Sequence, residues 1–209
     1  MYPIIAQLGV VEEFVIIWKM NLPLIASIVS TALFVFSMGW YVRDIARGLV
    51  KVSVATFAAL AVVTASQLAA LVAEGSWYQV PFSAVAMTVN ITICVLAFRR
   101  RTVYFSSLDR FALFGAFFGL VLWYVSGDAL LNIYILTVVM LVSVIPIVVK
   151  TFKHPSSETK LPWQINLLGS IVLMFTIVSP APEVWLVPLR QLLFSGVLNI
   201  ALLRKSSRK

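Results

Sequence analysis

Seven apolar segments, separated by short polar breaks, dominate the chain at 22–42, 52–73, 77–98, 111–127, 129–149, 161–179 and 184–203. About 20 apolar residues in a helix cross a bilayer core. Alternating segments of about ten residues, the mark of a membrane β-barrel, do not recur. Backbone in hydrocarbon must satisfy its own hydrogen bonds, so the segments predict transmembrane helices. Residues 1–21 are also apolar, but Glu12, Glu13 and Lys19 interrupt them. They predict a separate N-terminal interfacial segment rather than an eighth span. Without a basic leader region they do not read as a secretory signal.

Composition agrees with this pattern. The chain is 61% hydrophobic and 11% charged, whereas soluble domains carry about 25% charged residues. Charge placement then orients the spans. The first, third and fifth loops hold Arg43, Arg47 and Lys51; Arg99, Arg100, Arg101 and Arg110; and Lys150, Lys153 and Lys160. Loops around Glu74, Asp128 and Glu183 hold none, and the tail 204–209 is basic again. Strict alternation fits seven spans under the positive-inside rule, with the N-terminus outside and the C-terminus cytoplasmic. A bacterial inner membrane is the expected location. The net charge of +8 is thereby assigned to orientation and to anionic lipid headgroups. The basic loops are too short for a nucleic-acid surface.

An internal repeat organises the spans. Shifting the sequence by 106 positions lays MGWYVRDIARGLVKVSVATF (38–57) on VIPIVVKTFKHPSSETKLPW (144–163). Each stretch holds a helix end, a basic residue (Arg47, Lys153), a Ser/Thr-bearing turn and an aromatic opening the next helix (Phe57, Trp163). Trp77 and Asn90 are 13 residues apart, and Trp185 and Asn199 are 14 apart. The chain thus reads as a first three-helix bundle (22–98), a loop and linker helix (99–128) and a second three-helix bundle (129–203). One odd linker helix makes the bundles parallel repeats about the membrane normal. The expected fold is all-α integral membrane in a 3+1+3 layout.

This layout, with IPIVVKTFKHPSSETKLPW and an Asn in each third helix, resembles the SWEET/PQ-loop transporter superfamily, which includes the PnuC-like vitamin carriers. The Pro-Gln dipeptide is absent, because Ile147 follows Pro146. The resemblance implies a carrier for a sugar, vitamin or related polar solute, with Pro146 as a hinge. Proline removes one helical hydrogen bond and bends its helix, whereas Pro162 sits in a first turn that needs no N–H. Trp40 stands at the matching position of the first half.

Polar residues inside spans are the candidate site, since each is costly in hydrocarbon. Asn90 and Asn199 are expected on the walls of a central substrate site. Gln191, Ser195 and Asn199 recur every four residues and form one stripe. The resemblance implies pocket-lining depth for Gln67 and Ser170, near the middle of the second and sixth spans, with Asn166 one turn nearer the cytoplasm. Arg190 is the one basic residue within a predicted span, and nine residues separate it from Asn199. That is half a turn out of phase, so both cannot face one cavity. Arg190 either contacts substrate or pairs with Glu183. Trp163 is expected to anchor at the cytoplasmic interface.

No catalytic, metal or cofactor constellation appears. The lone His154 and Cys94 have no clustered partners, the acids fall at or outside span edges, and no phosphate-cradling glycine loop occurs. The expectation is a non-enzymatic facilitator, free of cofactors, with a small molecule and the bilayer as partners and a homo-oligomer possible. The alternatives are a membrane-embedded capture subunit of a multi-component importer, or a membrane enzyme or scaffold. A C-terminal epitope tag should be reached by antibody only after the cytoplasmic side is opened. Labelling of intact cells would overturn the predicted topology.

Overall fold

The computed structural model describes residues 2–50, 52, 54–99 and 107–204, with side chains from 21 onward except at 55, 107–109, 111, 112, 116, 120, 123, 129 and 183. The described residues are helical, without strands. The helices are α1 (Tyr2–Ala46), α2 (Val54–Ala73), α3 (Val80–Arg99), α4 (Ser107–Ser126), α5 (Ala129–Lys153), α6 (Lys160–Leu173) and α7 (Pro182–Leu203). Short 3-10 turns at Trp77–Gln79, Pro155–Ser157 and Met174–Thr176 join or extend them. Five stretches are long and apolar enough to cross a membrane: Asn21–Ala46, Thr56–Ala73, Trp77–Arg99, Leu130–Lys153 and Val184–Leu203.

Two boundaries differ from expectation. The N-terminal segment is not separate, because α1 runs from Tyr2 through Pro23 to Ala46 as one helix. Glu12, Glu13 and Lys19 interrupt hydropathy, but Glu and Lys are good helix formers. The sixth segment, expected to reach 179, ends its α-helix at Leu173 and tightens into Met174–Thr176. There Thr176 Oγ1 donates to the Leu173 carbonyl at 2.7 Å, and Ile177 is extended. Pro180 then interrupts the chain before Pro182 opens α7 at its first position, where no N–H is needed. Basic residues 51, 100, 101, 205, 208 and 209 lie outside the described residues.

Helix ends are set by local chemistry. Gly48 and Gly75, at φ of 75° and 70°, follow α1 and α2. In each case the next residue returns its N–H five positions back, Leu49 to Asp44 and Ser76 to Leu71. A left-handed residue is needed for that closure, and glycine adopts it without a Cβ penalty. Asp128 caps α5 by accepting from the Leu131 N–H at 3.0 Å.

Six helices close a ring in which α1 touches α3 and α6, α2 touches α3 and α5, and α7 touches α5 and α6. Helix α4 lies outside it, against α5 and α2. Exchanging α1, α2 and α3 for α5, α6 and α7 leaves these neighbour relations unchanged. The α1–α6 seam is close. A Cβ on Gly169 would meet Leu33 Cβ at 3.3 Å and the Ser30 carbonyl at 3.5 Å. Ser37 Oγ donates to the Pro162 carbonyl at 2.6 Å farther along it.

Polarity is distributed as hydrocarbon requires. Serines 27, 30, 37, 83 and 195 and the amides of Gln67, Asn132 and Asn166 are buried, whereas Ile28, Phe36, Phe98, Phe117 and Ile200 are exposed. A water-soluble bundle would show the reverse.

One buried carboxylate ties the ends of three helices. Glu158, between α5 and α6, accepts from Tyr41 Oη at 3.0 Å, Lys150 Nζ at 2.8 Å and Trp163 Nε1 at 3.4 Å. Tyr41 is near the end of α1 and Lys150 near the end of α5, so both helices bring their C-termini to this point. Glu158→Ala leaves the buried Tyr41 and Trp163 donors without this acceptor and should cost about 1–3 kcal/mol. Glu158→Gln, which still accepts from Tyr41, should cost less. Thermal unfolding in detergent of both variants checks the order, and equal midpoints with the parent would remove the clasp from the stability account.

Candidate functional site

A cavity of about 60 Å³ lies inside the six-helix ring. Phe34 and Met38 of α1 line it with Met140, Val144 and Ile147 of α5. Helix α2 contributes Thr56, Phe57, Leu60, Thr64 and Gln67, and α6 contributes Trp163 and Asn166. Helix α3 adds Phe82, Ala86 and Asn90, opposite Val187, Arg190, Gln191 and Phe194 of α7.

The lining repeats with the offset read from the sequence. Phe34 and Met140, Met38 and Val144, Phe57 and Trp163, and Leu60 and Asn166 are each 106 positions apart, and all eight face the cavity. In the third helices the offset becomes 108, pairing Phe82 with Arg190 and Ala86 with Phe194. Equivalent positions of the two halves thus surround one space. Their chemistry differs, because Arg190 stands where the first half has Phe82 and Asn166 stands where it has Leu60.

Polar partners fix these side chains in place. Gln67 Nε2 donates to Ser83 Oγ at 2.7 Å, and Asn90 Nδ2 to Thr64 Oγ1 at 3.5 Å. In the second half Gln191 Nε2 donates to Asn166 Oδ1 at 3.3 Å, and Ser195 Oγ to Ser170 Oγ at 3.0 Å. Arg190 is only 3% exposed, and its Nη1 donates to Thr137 Oγ1 at 3.2 Å. Aromatic rings complete the walls. Phe34 and Phe82 have centroids 4.8 Å apart, and Trp163 meets Phe194 edge-on at 5.7 Å.

Of the residues expected at the site, Gln67, Asn90, Asn166, Arg190 and Gln191 line the cavity, whereas Ser170, Ser195 and Asn199 stand behind it. Asn199 Nδ2 instead donates to the Trp163 and Ser195 carbonyls, each at 2.8 Å, and so ties α7 to α6. The phase rule for Arg190 and Asn199 holds, with Arg190 facing inward. Its expected alternative partner Glu183 lies outside the described side chains. Trp163 is not an interface anchor; it is 3% exposed and forms part of the wall. Pro146 lies within α5, which continues to Lys153.

Sequence reasoning passed over Phe34, Met38, Phe82 and Phe194, which look like ordinary span residues, although the 106-position shift could have flagged the α1–α5 pairs. It also passed over Asn132, buried in α5 with neither amide atom hydrogen-bonded. Among the described residues no cluster of His, Cys, Asp or Glu suits a metal.

No protein-family model matches the chain, and neither does any curated protein or solved structure. Asn199→Ala removes two buried bonds and should lower stability by roughly 1 kcal/mol, at about 0.6 kcal/mol per bond in a membrane. Asn90→Ala removes one long bond and should cost less. Unfolding midpoints in detergent rank the two, and the reverse order would refute the structural role of Asn199.

Proposed function

We propose that the chain is a small-solute carrier of the SWEET/PQ-loop type, with seven spans as two parallel three-helix bundles around a linker helix. The substrate site is the central cavity, and exchange between its two faces proceeds by rocking of the bundles. The observation that carries this reading is the cavity lining, in which positions equivalent under the 106-residue repeat face one another across a buried space. Such a site at a repeat interface suits alternating access, because each half can open the cavity in turn. Tyr41 of α1 and Lys150 of α5 meet at Glu158, which supports bundles that run in the same direction. In this reading α4 is the linker, and α6 with its 3-10 extension is the shortest span. Pro146 breaks the hydrogen-bond ladder of α5 beside the lining residue Ile147, where a bend would act on the cavity wall. No carboxylate is among the lining residues described, which favours facilitated exchange.

Purified protein alone in liposomes should perform counterflow with a member of a panel of sugars, vitamins and organic acids. Gln191→Ala and Asn90→Ala should each cut the rate a few-fold to about tenfold, the worth of one lost hydrogen bond. Binding without counterflow would replace the carrier by a capture subunit that needs a separate motor.

A further inference from the structure

We infer that the cavity takes a small monocarboxylate, its charged head on Arg190 and its apolar body against the aromatic wall opposite; this rests on the carrier reading of the same cavity. Arg190 is buried in the lining, and its bond to Thr137 uses one of five guanidinium N–H donors. Among the described side chains, which leave out Glu183, the ion pairs are Arg43–Asp44 and Lys150–Glu158, and neither involves Arg190. A guanidinium stays charged in proteins, and burying it without a counter-charge is costly. An anionic ligand supplies that charge, and a carboxylate matches the planar fork with two parallel bonds.

Charge narrows the class. One guanidinium balances one negative charge, so a phosphate monoester would bring surplus charge into a buried site. Phe34 and Phe82, on helices of the first half, offer apolar rings across from Arg190, while Thr64, Gln67, Asn90, Asn166 and Gln191 add polar groups to the lining. Arg190 and Phe82 are repeat equivalents, so one orientation puts the charged head on Arg190 and the apolar body toward Phe82.

The test is calorimetric titration of the full chain in lipid nanodiscs with propionate and with its neutral isostere propionamide. Propionate should bind about ten- to a hundredfold more tightly, the range for a charge-assisted hydrogen-bond pair. Arg190→Gln should abolish that preference, and Arg190→Lys should retain part of it. The proposal fails if wild-type protein binds propionamide as well as propionate, binds neither at millimolar concentration, or keeps its preference in Arg190→Gln. The comparison of the two ligands on wild-type protein stands even where a variant does not fold. Counterflow of labelled lactate at alkaline pH separates the two readings. Carboxylate binding without flux defeats the carrier and leaves the anion site. Sugar flux without carboxylate preference defeats the anion site and leaves the carrier.

Discussion

A polar side chain turned inward in an apolar bundle is satisfied by its own helix, as Ser143 is by the Val139 carbonyl, or by a neighbouring one, because hydrocarbon supplies no partner. Most of the specific geometry described above follows from that requirement. Gln67 with Ser83 and Thr64 with Asn90 register α2 on α3. Asn166 with Gln191, Ser170 with Ser195 and the Trp163 carbonyl with Asn199 do the same for α6 on α7. Each such bond is worth only about 0.6 kcal/mol in a membrane. Leaving one group unpaired costs more, so the bonds select a register more than they add stability. Two separately registered helix pairs result, one presenting Thr64, Gln67 and Asn90 to the cavity and the other Asn166, Arg190 and Gln191.

The halves share a backbone plan but not a surface. Four pairs at 106 and two at 108 positions place equivalent residues around the cavity. Within those pairs Phe34/Met140 and Phe57/Trp163 conserve bulk, while Leu60/Asn166 and Phe82/Arg190 exchange apolar for polar or charged chemistry. In the carrier reading, a symmetric frame with an asymmetric lining would distinguish the two ends of a ligand. The frame alone would bind a ligand equally well in two orientations.

Much of this frame was legible because it rests on hydropathy and periodicity, which are local. The repeat offset came from matching Arg47 to Lys153 and Phe57 to Trp163, and the same offset later pairs the cavity residues. Phase was legible too, since it fixed that Arg190 and Asn199 point apart. The sequence could not say which one points inward. The 14-residue Trp185–Asn199 spacing exceeds the 13 of Trp77–Asn90, and one residue rotates a helix position by about 100°. That rotation carries Asn199 from the wall to the α6 seam. Trp163 misled for another reason: an aromatic after a helix-opening proline looks the same at a lipid interface as in a core. Its burial depends on Tyr41 and Phe194, which lie far away along the chain. Glu158 was equally hidden, because its Tyr41 partner is 117 positions away.

The Glu158 clasp shows why a carboxylate can suit a place that stability alone does not require. A buried ion pair gains little net stability over well-packed apolar residues of similar volume. Lys150 is about one-third exposed, so its charge is partly screened and the ionic part of the tie is small. The tie nevertheless joins α1 of one half to the end of α5 and the start of α6 of the other. Apolar packing at that junction would resist parting in proportion to the surface exposed. In the carrier we propose, a carboxylate with three donors could exchange each partner for water as the helices separate, which would lower the cost of an open arrangement. Trp163 belongs both to this tie and to the cavity wall, so parting the helices here also moves a side chain at the site.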